Sequence, residues 1–202
     1  MPELPDIELY RHAIAERVVG GPLVGVKLFS PFVLRTVTPL VAAVTGQRID
    51  SVSRLGKRIV LDMEGGLHVV VHLMIAGRLL WAAGEPTVRQ PGGRNTLALF
   101  QFLQGHILLT EAGTKRRASI HVVDSDGLLA LDPGGIEPLD STLDAFVKAL
   151  TPENHTIKRA LTNPRYVAGI GNAYSDEIFH AAHLSPIRLT KSMTAEEWAR
   201  LH

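Results

Sequence analysis

Apolar residues first recur with helical spacing over Pro5–Val19, where Ile7, Tyr10, Ile14 and Val18 share one stripe, and Gly20-Gly21 ends that helix. The pattern then changes. Short runs rich in β-branched and aromatic residues follow at Leu23–Phe29, Arg48–Arg54, Arg58–Met63, Leu67–Leu73, Arg78–Trp81, Thr96–Phe102, His106–Thr110 and Ala118–Val123. Glu64-Gly65-Gly66 and Leu103-Gln104-Gly105 read as hairpin turns. Ala82–Arg94, with Pro86, Pro91, Gly92 and Gly93, reads as an exposed loop. Many short strands separated by turns predict a two-layer antiparallel β-sandwich behind a leading helix.

The pattern changes again at Leu131–Pro138, which carries two prolines and two glycines. Helical spacing returns over Leu143–Leu150, capped by Asp140 or Ser141, then over Thr156–Leu161 and Ala173–Ala182. Thr194 with Glu197 is a capping-box pattern that opens a fourth helix. The fold class is therefore α+β. Its expected parts are a sandwich domain with its helix at 1–130, a linker at 131–140 and an all-helical domain at 141–202.

Composition narrows the chemistry only slightly. With no cysteine there are neither disulfides nor thiolate metal sites. No apolar run approaches the ~20 residues of a membrane span, and no secretory signal opens the chain, so a cytoplasmic protein is expected. A net charge of +1 gives no global basic field. Positive charge is instead local, at Lys115-Arg116-Arg117 and at Arg89, Arg94, Lys158, Arg159 and Arg165. Such clusters suit a local anionic ligand.

Two stretches could carry chemistry. Met1 precedes a small residue, so its removal would leave Pro2 with a free secondary amine. That amine can attack an electrophilic carbon and form an iminium, and Glu3 beside it can give or take a proton. The plainer reading is a helix-starting Pro5 with acids decorating the first turn. The second stretch is Val167–Glu177, where Gly169 and Gly171 precede Asn172 at the start of a helix. Exposed amides, a helix N-terminus and the Asn amide together would grip a phosphate. It is no dinucleotide fingerprint, since the third glycine and the preceding strand are missing. Glu177, His180 and His183 have helical metal-ligand spacing without the second copy that a di-iron bundle needs.

Met1–Glu8, Leu55-Gly56-Lys57-Arg58, His72-Leu73 followed by Gly77, Val167–Glu177 and Leu184-Ser185-Pro186 resemble, in order, the formamidopyrimidine-DNA glycosylase and endonuclease VIII family. The resemblance spans nearly the whole chain. It implies a β-sandwich followed by a helix–two-turns–helix domain, and a bifunctional DNA glycosylase and AP lyase of base-excision repair. Such an enzyme acts on damaged double-stranded DNA, as a monomer and with no cofactor in this chain. By resemblance Pro2 attacks C1′ of the damaged nucleotide and carries the Schiff base. Glu3 protonates the sugar ring oxygen, and Lys57 contacts phosphate and assists elimination. His72 and Asn172 hold phosphates, and Lys158 adds another contact. Read alone, Lys57 is a solvated strand-end lysine and His72 a half-buried histidine.

The chain also departs from that family. Where many members carry Gly-Met-Ser-Gly, it has Met74-Ile75-Ala76-Gly77. Ile75 takes the register of the wedge that fills the gap left by a flipped base, with Met74 beside it. The Asp-Pro-Arg-Arg-Phe-Gly loop is replaced by Gly113–Ala118: Lys115 and Arg116 keep the basic positions, and Arg117 replaces the aromatic plug. Taken alone, Lys115–Arg117 reads as a solvated basic hairpin tip. Members ordinarily continue into a lesion-reading loop and a zinc or zincless finger, and the expectation is that this chain is incompletely represented. Two other readings stay open. One is a non-catalytic lesion binder of the same fold. The other is a tautomerase using Pro2 as a base, which would need neither the Gly169–Asn172 element nor the basic loop.

Overall fold

The computed structural model describes residues 1–86 and 93–202. Arg89, Pro91 and Gly92, read above as part of an exposed loop, lie outside the described residues. The chain forms two compact units that part between Leu131 and Asp132, and residues 55–57 group with the second.

The first unit opens with α1 (Leu4–Val18), one residue earlier than the periodicity predicts. Pro5 sits in its first turn, where a missing N–H costs nothing. Ile7, Ile14 and Val18 are buried and Tyr10 packs beside them, which is the predicted stripe. Eight strands follow: β1 (Leu23–Leu28), β2 (Ile49–Leu55), β3 (Arg58–Met63), β4 (His68–His72), β5 (Gly77–Ala83), β6 (Thr96–Phe102), β7 (Gly105–Glu111) and β8 (Ser119–Val123). They make two four-stranded sheets, in the orders β1-β6-β7-β5 and β2-β3-β4-β8. Ile59, Leu61, Val69, Val71 and Ile120 from one sheet meet Leu79, Leu97, Phe100, Ile107 and Leu109 from the other in one core. Val60 and Val70 are buried on the opposite face of their sheet. A helix that the apolar pattern does not announce, α2 (Ser125–Ala130), packs on β4 and β8. It has no buried residue and starts from Asp124, whose carboxylate accepts the Gly127 N–H at 2.8 Å.

Register fixes the two ends of the sandwich. Arg58 pairs with His72, and His72 with Ser119. Gly77 pairs with Glu111, and Thr96 with Thr110. One end therefore carries the β2–β3 turn together with two segments that pass from sheet to sheet, residues 73–76 and 112–118. The Lys115–Arg117 segment is thus not a hairpin tip. It joins β7 of one sheet to β8 of the other, so its geometry follows from how the sheets face each other. The other end carries the hairpins β3–β4 and β6–β7, at the two glycine turns anticipated above.

The second unit contains α3 (Leu143–Leu150), α4 (Ile157–Leu161), α5 (Asn172–Ala182) and α6 (Ala195–Leu201). Thr142, rather than Asp140 or Ser141, caps α3, accepting the Ala145 N–H at 3.3 Å. Only the Ncap position itself reaches the N3 amide in this way. The Thr194–Glu197 capping box forms as anticipated. Phe146, Leu150, Ile157, Leu161, Val167, Phe179, Trp198 and Leu201 build a separate core. Ile136 pairs with Val167 as an isolated parallel bridge, which knits the proline-rich segment into this unit.

Candidate active site

Pro2 and Glu3 are both buried, Glu3 to 4% exposure, although Met1 before them is half exposed. Glu3 is the N-cap of α1. The Asp6 carboxylate accepts the Glu3 N–H at 2.9 Å, and Glu3 and Asp6 close a reciprocal capping box. A carboxylate at this place is favoured by the amides and dipole of the helix start. One turn further on, Glu8 ties α1 to the end of β2. Its carboxylate accepts from Arg54 at 2.6 Å and from Arg11 at 2.7 Å, and the Arg54 side chain is 5% exposed. Burial alone would raise the Glu8 pKa. The two guanidinium hydrogen bonds and their charges outweigh it and hold the group below its ordinary 4.5. At the opposite end of α1, Arg17 lies 5.9 Å from the centre of the Trp81 ring, far along β5 from Gly77. The start of α1, with Pro2 and Glu3, is therefore at the end of the sandwich where the chain crosses between sheets.

Lys57 is half-buried in the tight turn between β2 and β3. Gly56 there has φ +59°, a backbone shape that disfavours any side chain. His72 closes β4. Its Nδ1 accepts the Met74 N–H at 2.9 Å, leaving Nε2 as the donor of the neutral ring. Met74 adopts φ +54°, and Ile75 after it is 62% exposed. Gly77 ends the crossing: its N–H donates to the Leu73 carbonyl at 2.9 Å, and a Cβ there would lie 2.3 Å from that oxygen. Ile75, in the wedge register, is thus presented by a tightly closed turn, with Met74 half-covered beside it.

In the second crossing Lys115, Arg116 and Arg117 are all exposed. Arg116 donates to the Arg94 carbonyl at 2.8 Å. Glu111, whose side chain is buried, accepts the backbone N–H groups of Arg117 and Ala118. Sequence reasoning missed Glu111, because one acid at the end of an apolar strand looks like an ordinary strand terminus. The start of β3, the end of β4 and β8 also carry Arg58, His72 and His121. Burial, then the charges of Arg58 and Arg35, pushes the His121 pKa below its ordinary 6.5.

In the second unit, Gly169 has φ +81° and Gly171 is the N-cap of α5. Asn172 is the first residue of that helix and is exposed. Ser175, fully buried, donates to the Asn172 carbonyl at 2.8 Å and braces the turn. Lys158 is ion-paired with Asp176. A phosphate at Lys158 would have to displace a carboxylate. Among the described residues no group of three or more His, Cys, Asp or Glu could hold a metal ion, Glu177, His180 and His183 included. No helix among them is long and apolar enough to cross a membrane.

The family model of the formamidopyrimidine-DNA glycosylase N-terminal domain matches residues 1–118, and that of the family's H2TH domain matches residues 134–202. The formamidopyrimidine-DNA glycosylases of Pelotomaculum thermopropionicum and Chloroflexus aggregans are 32% and 34% identical over all of this chain, which spans 74% of each. Among solved structures, a Lactococcus lactis Fpg mutant complexed with Fapy-dG-containing DNA superposes with a TM-score of 0.84 at 25% identity, covering 100% of this chain and 74% of that one.

Proposed function

The chain belongs to the formamidopyrimidine-DNA glycosylase family, and from that premise we propose that it excises oxidised or ring-opened bases from duplex DNA and cuts the resulting abasic strand. With Met1 removed, the Pro2 amine attacks C1′ of an extruded nucleotide and the glycosidic bond breaks toward the leaving base. Glu3 takes the proton that the alkylated Pro2 nitrogen must lose and delivers it to the ring oxygen as the sugar opens, and the iminium formed on Pro2 withdraws electrons from C2′. Loss of the C2′ proton then expels the 3′ phosphate, with Lys57 offsetting charge on the neighbouring phosphate. Extrusion is cheapest at a damaged base, whose stacking and pairing are already weakened.

Lys57, in the β2–β3 turn, and His72, at the end of β4, serve as phosphate contacts, as does Asn172 with its glycine turn. Lys158 joins them by exchanging Asp176 for phosphate. Ile75, Met74 and Arg117 occupy the space vacated by the flipped nucleotide, and Lys115 and Arg116 flank it. The observation that carries this reading is the buried Pro2–Glu3 pair, fixed by a capping box and by the Glu8–Arg54 ion pair. The test is a duplex with a ring-opened purine beside a duplex with a preformed abasic site. Glu3→Gln is expected to lose excision while still cutting the abasic strand, because only the first step must expel a base. Equal loss on both substrates would overturn the role of Glu3.

A further inference from the structure

Glu111 is a buried carboxylate on the site end that none of these steps uses. It closes β7 at 2% exposure. Its Oε2 accepts the Arg117 N–H at 2.8 Å and the Ala118 N–H at 2.9 Å. A carboxylate so deeply buried is costly unless it is hydrogen-bonded, and bonds to an ionised acceptor are the stronger kind. The two bonds close residues 112–117 into a ring that leaves and re-joins the sandwich at one point. Arg117 lies on that clamp with its backbone fixed and its side chain exposed. Arg116, one residue earlier, is held by a different partner, the Arg94 carbonyl. Across the β5–β7 ladder Glu111 pairs with Gly77, the residue that closes the Ile75 turn. The roots of the two sheet-crossing segments therefore adjoin.

We propose that Glu111 is a positioning residue that sets opposite-base preference by holding Arg117 ready to enter the gap beside the orphaned base. This rests on the glycosylase reading above. A loop clamped at its root loses little further freedom on entering the duplex, so the guanidinium arrives in one orientation and discriminates among the bases it meets. Without the clamp the same guanidinium samples many orientations and discriminates less.

The test measures the affinity of the full chain, by fluorescence anisotropy, for duplexes carrying a reduced abasic-site analogue opposite each of the four bases. Glu111→Leu is expected to narrow the spread of affinities about three- to tenfold. Glu111→Gln is expected to preserve it, because the amide oxygen can accept both N–H groups. In an Arg117→Ala background, Glu111→Leu should change the spread no further. Should Glu111→Leu give no cooperative melt, Glu111→Asp, one methylene too short to reach both amides, carries the same expectation. A uniform loss across all four duplexes, an undiminished effect in the Arg117→Ala background, or a wild type without any spread would each overturn the proposal. Borohydride trapping of the same samples on abasic DNA separates the two ideas. Selective binding without trapping overturns the lyase reading and leaves the clamp standing, whereas absence of abasic-duplex binding overturns both.

Discussion

The two ends of the β-sandwich are built from the same strands and do different work. At one end the strands turn back within their own sheet, through glycine turns at residues 64–66 and 103–105. At the other end the chain passes between sheets twice, and three acid or imidazole side chains there are tied to backbone: Glu3 in its capping box, His72 to Met74, Glu111 to Arg117 and Ala118. A hairpin satisfies its own amides, whereas a crossing segment leaves amides that side chains must satisfy. Those side chains thereby hold the exposed tip residues in place, which is what a site acting on a large polyanion needs.

The contrast predicts that substitutions separate into chemical and structural kinds by end. Glu3→Gln should lower excision by about 10²–10⁴-fold with little change in melting temperature, as expected for a lost proton donor. A large loss of stability would place Glu3 with the structural residues. Trp81→Ala, at the hairpin end, should do the reverse. It removes the stack on Phe102 at 6.0 Å and the partner of Arg17, and should cost about 2–3 kcal/mol of stability. Single-turnover cutting well below the melting temperature should stay unchanged. A parallel loss of chemistry would break the contrast.

Weaker effects sharpen it. Lys57→Ala should weaken binding to all duplexes alike and shallow the log–log salt dependence by roughly one unit. Asn172→Ala should weaken binding at unchanged slope, since no charge is removed. A lesion-selective loss at unchanged slope for Lys57→Ala would instead indicate base contact. The smallest effect concerns His121, mid-sheet between the two ends. Its folded pKa lies below that of the unfolded chain, so its contribution to stability is full above about pH 6.5 and is lost as pH falls through the folded value. Denaturant melts between pH 7.5 and 5.5 should show a decline that His121→Gln reduces. An equal decline in the variant would assign the pH dependence to other groups.

How far the sequence discloses this contrast also differs by end. The bounds of β3, β6 and α3 follow from periodicity alone, and the hairpin glycines from turn chemistry. The segment before β8 reads as a hairpin tip because turn residues look alike whether a strand returns to its own sheet or leaves for another. Only register distinguishes them, and register is a property of distant pairs such as Gly77 with Glu111. The helix α2 stays hidden because its six residues bury nothing and so carry no apolar stripe. Pro2, Glu3 and Asn172 stand out in the sequence because their chemistry is local to short motifs, whereas Lys57, read alone, is a solvated strand-end lysine that only the family resemblance singles out. Glu111 does not stand out, since its importance lies in amides six and seven residues away.

The central claim is that the amine of Pro2 does the covalent chemistry at the crossing end. Borohydride reduction during reaction with an abasic duplex, followed by proteolysis and mass mapping, tests it directly. The expected result is one adduct on the N-terminal peptide, at Pro2, abolished when Met1 is retained and strongly reduced by Pro2→Gly. An adduct mapped to Lys57 or another lysine, formed undiminished with Met1 in place, would contradict it.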